Sequence, residues 1–303
     1  PGTYRVSFTD WGNQTFKQEW YNNSSTFAGA QSIVIGASTA FNANAVLEAW
    51  PRGTIRGTIT DSDDFGIPGI TVQTYTWDQV ESRWTMGLGS ATQITDDDGS
   101  YEFADTLAQN YVIEFRDDNG MFKAELYNNK YAISSANPVT VTEGGTVTAN
   151  ASLAAVQYGS VAGVVTDSSN GAFAPGVDVS GYAPNLFGDW EWGFSAETMS
   201  LGDYRATGVP TGSYHVLFSD YMGRYVQEFY PNAANESGAT WVGVAPLHTT
   251  SSINASLDRA AHIKGRITAA GTGAPLKAYA TIYKWDPSAL AWQDMEAGYP
   301  SNA

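Results

Sequence analysis

YVIEFRD, residues 111–117, is the stretch that decides the fold. Tyr111, Ile113 and Phe115 fall on one face of an extended chain, and Val112, Glu114 and Arg116 on the other. That period of two marks a strand with one buried face. The string returns as Tyr4-x-Val6-x-Phe8-x-Asp10 and as Tyr214-x-Val216-x-Phe218-x-Asp220, each time after roughly a hundred residues. A second signature follows each copy: EWYN (19–22), ELYN (125–128) and EFYP (228–231). A third comes next, as NAVL (44–47), NASL (150–153) and NASL (254–257). Only then does a fourth appear: Ile55-x-Gly57-x-Ile59-x-Asp61, Val161-x-Gly163-x-Val165-x-Asp167 and Ile263-x-Gly265-x-Ile267. Pro68-Gly69, Pro175-Gly176 and Pro275-Leu276 trail it. Separate markers that keep one spacing define a tandem array.

The natural unit runs from the Ile-x-Gly strand to the Asn-Ala-x-Leu strand. Complete repeats are expected over 54–155 and 158–258, the back half of a repeat over 1–50, and the front half of another over 262–303. The joints are short: WPRG (50–53), AVQ (155–157) and RAA (259–261). Linkers of that length leave little freedom, so the array is expected to be a semi-rigid rod. Within the first complete repeat, strands are predicted near 54–60, 69–77, 83–95, 100–104, 110–116, 122–127 and 138–153. Short alternating strands between turn signals read as an all-β sandwich.

Composition narrows the function. With Lys+Arg 15 against Asp+Glu 31, the formal charge is −16, which argues against nucleic acid and against an anionic membrane surface. There are no cysteines, so disulfides, thiolate metal sites and a cysteine nucleophile are excluded together. No apolar run approaches the length of a membrane span. A large β-rich chain without cysteine fits a bacterial or archaeal surface protein stabilised by its cores.

The strings GTITD (57–61), GIPGITVQTY (66–75), TDDDGSYEF (95–103) and YVIEFRD resemble the carboxypeptidase regulatory-like and Cna-B-type family of prealbumin-like sandwiches. The resemblance covers nearly the whole chain. It implies tandem Ig-like or prealbumin-like domains serving as stalk, spacer or adhesin modules of prokaryotic surface proteins. In the second complete repeat the acidic turn is reduced to SLGDY (200–204) where the first has Asp96–Tyr101. Some members of the family carry a Lys–Asn isopeptide bond between first and last strands. Asn44, Asn150 and Asn254 suit the last strand, but the first-strand positions are Arg56, Ala162 and Lys264. The two complete repeats therefore lack the lysine, and Lys264 would need an asparagine from further along the array.

Several residue groups invite a functional reading. Asp61, Asp63 and Asp64 with Asp96, Asp97 and Asp98 could supply hard oxygen ligands for calcium, although Asp and Gly also suit a tight hairpin turn. No other cofactor is expected. Trp77 and Trp84, and likewise Trp285 and Trp292, are placed to meet across a hairpin, where the other complete repeat has Trp190 and Trp192. These six are the interaction candidates, as packing partners, as contacts between repeats, or as platforms for glycans. The glutamate of the EWYN-type motif has no second carboxylate at a fixed spacing, so a structural role is expected. His215, His248 and His262 show no metal-binding spacing. Sequons stand at Asn13, Asn22, Asn23, Asn150, Asn235 and Asn254, and matter only if the host glycosylates its surface proteins.

The ends read as interrupted repeats. Pro1 corresponds to the turn before Tyr214, and Ala303 falls short of the counterpart of Asp96. Joining one chain's end to another's start would omit the counterpart of Asp96–Leu107, a whole strand whose loss opens the core. The expectation is a window of a longer array rather than a strand-complemented polymer. The function expected is a non-enzymatic, extracellular structural protein, a surface filament or stalk whose partners are copies of itself or adjacent repeats. The alternative is an adhesin for cell-surface glycans or proteins, and the distant one an accessory module of a secreted hydrolase.

Overall fold

The computed structural model describes residues 1–11, 15–263, 265–287, 289–294 and 299–300. It is all-β, with two short 3-10 turns at Ile133–Ser135 and Glu236–Gly238. Two sandwiches dominate, each with its own core. In the first, Arg52–Thr60 pairs antiparallel with Ser100–Leu107 and parallel with Thr146–Thr148 and Ala151–Ser152. The facing sheet centres on Thr71–Asp78 and Asn110–Arg116, flanked by Glu125–Leu126, Val139–Thr140, Arg83–Thr85 and Thr92–Ile94. Between the sheets lie Ile55, Ile59, Val72, Tyr101, Phe103, Tyr111, Ile113 and Phe115. The second sandwich repeats this plan from Tyr158–Asp167 to Ala255–Leu257, around Val161, Val165, Val179, Tyr204, Tyr214, Val216 and Phe218.

Three of the repeated motifs converge at one place. The parallel ladder between first and last strands breaks after Thr148 and resumes at Ala151. The break leaves the Thr58 amide without a ladder partner, and Asn150 Oδ1 accepts it at 3.0 Å. In the second sandwich Asn254 Oδ1 accepts the Val164 amide at 2.8 Å. Gly57 and Gly163 lie against the same crossing. A Cβ there would sit 2.2 Å from the Ala149 carbonyl oxygen or 2.0 Å from that of Ile253. Those carbonyls also accept the hydroxyls of Tyr101 and Tyr204, at 2.6 and 2.7 Å. The glycine, the asparagine and the tyrosine thus bring two backbones close and satisfy the groups left by the break.

Some predicted strands are broken. The stretch 83–95 divides into Arg83–Thr85 and Thr92–Ile94, because the chain turns through Gly89 with φ +87°. The stretch 138–153 becomes three short pieces. The acidic hairpin and its reduced counterpart share one geometry: Asp96 N–H bonds Ser100 O at 2.9 Å, and Met199 N–H bonds Asp203 O at 2.8 Å. The aspartates are not needed to form that turn.

The terminal stretches keep only part of the plan. Residues 1–50 form the pairs Gly2–Tyr4 with Ile33–Ile35 and Ser7–Phe8 with Glu19–Trp20. These match pairs of the complete repeat, Tyr111 with Val139 and Phe115 with Glu125. In the last stretch Tyr283–Asp286 pairs with Ala291–Asp294. The strand expected from Ile263 to Ile267 does not form among its described residues. In the first complete sandwich the equivalent strand is held between Ser100–Leu107 and the last strand, and a strand without such neighbours has nothing to satisfy its backbone.

Candidate functional site

The joints between repeats are built by the aspartate that closes the YVIEFRD-type motif. Asp117 Oδ1 accepts the Asn119 amide, and Oδ2 accepts those of Met121 at 2.7 Å and Phe122 at 3.0 Å. Asp220 holds the amides of Met222, Arg224 and Tyr225 in the same manner, and Asp10 those of Thr15 and Phe16. A short acidic side chain with its lone pairs turned back on the backbone fixes the loop that follows it. Asp220 is enclosed: burial pushes its carboxyl up, but hydrogen bonds from Arg224 and the loop amides outweigh that and hold it below the usual carboxylate range.

Each fixed loop then grips the linker. Lys123 N–H bonds Ala154 O at 2.9 Å, and Val156 N–H bonds Met121 O at 2.7 Å. The same two bonds recur as Lys17 to Glu48 with Trp50 to Thr15, and as Val226 to Asp258 with Ala260 to Arg224. Phe122 opposite Ala155, Phe16 opposite Ala49 and Tyr225 opposite Arg259 form the resulting bridges. On the far side the linker is held at once by the next sandwich, where Thr211 N–H bonds Gln157 O at 2.8 Å. Tyr158, the first residue of that sandwich's first strand, reaches back to the Gly120 carbonyl at 3.3 Å.

A second contact lies away from the linker. The hairpin between Asp178–Pro184 and Trp190–Glu197 carries Leu186 and Phe187 at its tip, and Asn185 Oδ1 fixes that tip by accepting the Phe187 and Asp189 amides. Ile133 N–H bonds Leu186 O at 2.7 Å, and the Phe187 ring meets Tyr75 with centroids 4.7 Å apart. Tyr75 stands on the outer face of the first sandwich beside Glu114, whose Oε2 accepts its hydroxyl at 2.6 Å. Burial and that carboxylate push the Tyr75 hydroxyl well above its ordinary pKa. A cleft of about 1030 Å³ opens beside this contact, lined from both sandwiches by Glu114, Arg116, Tyr131, Asn185, Glu191 and Trp241 among others.

The predicted tryptophans have other neighbours. Trp77 packs edge-on to Trp84 at 5.5 Å, and Trp285 to Trp292 at 5.4 Å, each a directly opposed cross-strand pair. Trp192 is exposed. Trp190 stacks on His215 and Trp241, which lie 3.9 Å from each other. Ring contact between the sandwiches is made by Tyr75, which opens the aromatic hairpin of Trp77 and Trp84, and by Phe187, neither of them among the six interaction candidates. Trp241 was also missed, because the other complete repeat has Pro138 there and the position does not recur. The loop lengths between recurring strands were the available signal for the tip.

The calcium candidates do not gather. Asp61 Oδ1 accepts the amides of Asp63 and Phe65, and Asp98 Oδ1 that of Ser100. Among the described residues no three or more His, Asp or Glu side chains come together as a metal site. His215 is buried with its Nδ1 3.1 Å from Glu236 Oε1, close but not aligned for a hydrogen bond. His262 lies on the surface beside Arg224 and Arg259. Of the sequons, Asn13 lies outside the described residues, and Asn22 and Asn23 adopt left-handed turn conformations, as Asn128 and Asn129 do in the next copy. Asn150 and Asn254 are exposed yet use their side-chain oxygens at the ladder break, Asn235 precedes a 3-10 turn, and Lys264 lies outside the described residues. Glu125, the motif glutamate, is buried and takes the Tyr131 hydroxyl on one oxygen while the other has no partner.

No family model matches the chain, and no curated protein matches it. Among solved structures it is similar to a Streptococcal ancillary pilin, at 12% identity over 75% of this chain and 69% of that one, TM-score 0.44. It is also similar to a minor pilin of Streptococcus agalactiae (12% identity, 70% and 98% covered, TM-score 0.41) and to a shaft pilin of Lactobacillus rhamnosus GG (8%, 70% and 100%, 0.25). Such scores add nothing to the sandwich assignment, which rests on the sheets themselves. The chain is an all-β protein of tandem sandwiches. Among the described residues no helix is long and apolar enough to cross a membrane.

Proposed function

We propose that this chain is a non-enzymatic, extracellular structural protein: part of a surface filament or stalk that holds distance through stiff joints between β-sandwich repeats. The observation that carries the reading is the joint. The same pair of backbone hydrogen bonds grips the linker at three places, each time from a loop organised by the same motif aspartate. A passive tether between independent domains needs no such device, because flexible linkers are the default and motion between domains follows. Here the linker is paired on both sides, and a hairpin tip adds a second point of contact, so rotation about the joint requires breaking several bonds together. The partners in this reading are neighbouring repeats and further copies of the chain.

The absence of cysteine makes the test clean. Spin labels on Glu102→Cys and Ser195→Cys, one in each complete sandwich, should give one narrow distance distribution by pulsed electron resonance. Asp117→Ala should broaden it while leaving the circular dichroism of the sandwiches intact. A broad distribution in the labelled parent protein would remove the stiff-joint reading.

A further inference from the structure

We propose that the cleft between the two complete sandwiches is a binding site for a neutral oligosaccharide, whether or not the chain serves as a stalk. Its walls come from two domains whose relative position is set by the gripped joint and the Leu186–Phe187 tip, so the site exists before a ligand arrives and little ordering opposes binding. At about 1030 Å³ it lies just above the usual range, about 300–1,000 Å³, of small-molecule sites. That volume suits a few sugar rings rather than one.

The chemistry of the walls points to sugar. A pyranose offers a face of C–H groups and a rim of adjacent hydroxyls. Tyr131 and Trp241 keep about half of their surface open, 53% and 49%, although both line a concave site. Aromatic rings held in that way present flat apolar platforms with a polar edge. Between them stand side chains that bind in pairs of atoms. Glu114 is almost fully buried, with one oxygen on Tyr75 and the other 3.9 Å from Arg116, too far for a hydrogen bond and so open to a donor. Glu191 Oε1 accepts from Asn185 Nδ2 at 3.0 Å, which orients its carboxylate and leaves the second oxygen available. Each carboxylate thus offers one oxygen to a sugar hydroxyl, and the two together can take two hydroxyls of one ligand.

Charge selects among sugars. Glu114 and Glu191 line the cleft with Arg116, whose guanidinium Asp118 already engages at 2.7 Å, and the chain as a whole carries −16. Sialylated, sulfated or phosphorylated glycans would bring like charge into a partly desolvated site, an unfavourable placement. The exposed tryptophan pairs are poorer candidates, since Trp77 and Trp84 pack on each other across their hairpin.

Titration calorimetry with cellotetraose, maltotetraose, chitotetraose, lactose and 3′-sialyllactose tests the assignment on the intact chain. At least one neutral sugar should bind with a Kd of about 1 mM or tighter. Glu191→Gln and Tyr131→Ala should each weaken it about tenfold, the worth of one charge-assisted hydrogen bond or one aromatic contact. Trp77→Ala should change nothing, and thermal melts would establish that each variant is folded. No heat with any neutral probe at about 10 mM, binding that survives both cleft substitutions, loss of binding on Trp77→Ala, or a preference for 3′-sialyllactose over lactose would each overturn the proposal. So would self-association that alone accounted for the heat.

Discussion

Tyr111 and Tyr4 hold the same place in the same motif, yet Tyr111 is fully buried and Tyr4 is 48% exposed. Tyr111 has its hydroxyl on the Leu107 carbonyl at 2.9 Å and its ring under the sheet that carries Ile55 and Phe103. Around Tyr4 the strand pairs of the back half form, and the facing sheet does not. The other end shows the same contrast. Ile55 is wholly buried and Ile263 is 81% exposed. A Cβ on Gly163 would strike the last strand, whereas one on Gly265 would meet nothing within 4 Å. An alternating string therefore fixes which face can be buried, but burial itself is given by strands far away in the chain.

The sharpest way to break this comparison is to truncate the shared tyrosine. Tyr111→Ala should cost the first complete sandwich about 3–5 kcal/mol, as expected for a large ring removed from a closed core, whereas Tyr4→Ala should cost under about 1 kcal/mol. Urea unfolding followed by circular dichroism checks the pair, and equal costs would mean that residues 1–50 possess a core of their own.

A smaller effect is expected at the motif glycine. Gly163→Ala should destabilise its sandwich by about 2–3 kcal/mol, because the clash is with backbone that cannot turn aside, and Gly265→Ala should be neutral within about 0.5 kcal/mol. Differential scanning calorimetry would separate them. A neutral Gly163→Ala would show that the first and last strands can part without loss.

The smallest effect concerns protons. Burial raises the Glu125 carboxyl above the usual glutamate range, with the Tyr131 hydroxyl pulling it only part of the way back. A carboxyl whose folded value exceeds its unfolded value, about 4.3, favours the folded state in its neutral form. That contribution is complete below the unfolded value and fades as pH rises through the folded one. Glu125→Gln should therefore make the first complete sandwich more stable at pH 7 and flatten its dependence between pH 4 and 7. Urea midpoints at several pH values decide this, and an unchanged slope would clear Glu125 of the effect.

How much of this was legible beforehand varies by element. Strands such as Asn110–Arg116 were readable because alternation is local and every copy repeated it. The acidic hairpin was readable as a turn, since Gly99 and Gly202 both sit at positive φ in it. The break in the parallel ladder was not: nothing in NASL announces that the asparagine oxygen will stand in for a backbone partner 92 residues away. Nor was the grip on the linker, because Asp117 acts on amides beside it while the bonded linker residues, Ala154 and Val156, lie far further along the chain. The cleft was the least legible of all. Tyr75, Phe187 and Trp241 carry no shared spacing, and each is an ordinary aromatic until two domains meet.

By itself the sequence determined the period, the all-β character, the alternation that picks a buried face for each strand, and the lack of cysteine. These are properties of neighbours along the chain, where sterics and hydrophobic alternation act over a few residues. Tertiary structure alone decided where Asn150 and Asn254 spend their oxygens, and how the hairpin tip of one repeat meets the outer face of the one before. Those outcomes depend on surfaces and unpaired backbone groups brought together from distant segments, and no local string encodes a contact whose other half lies a hundred residues away.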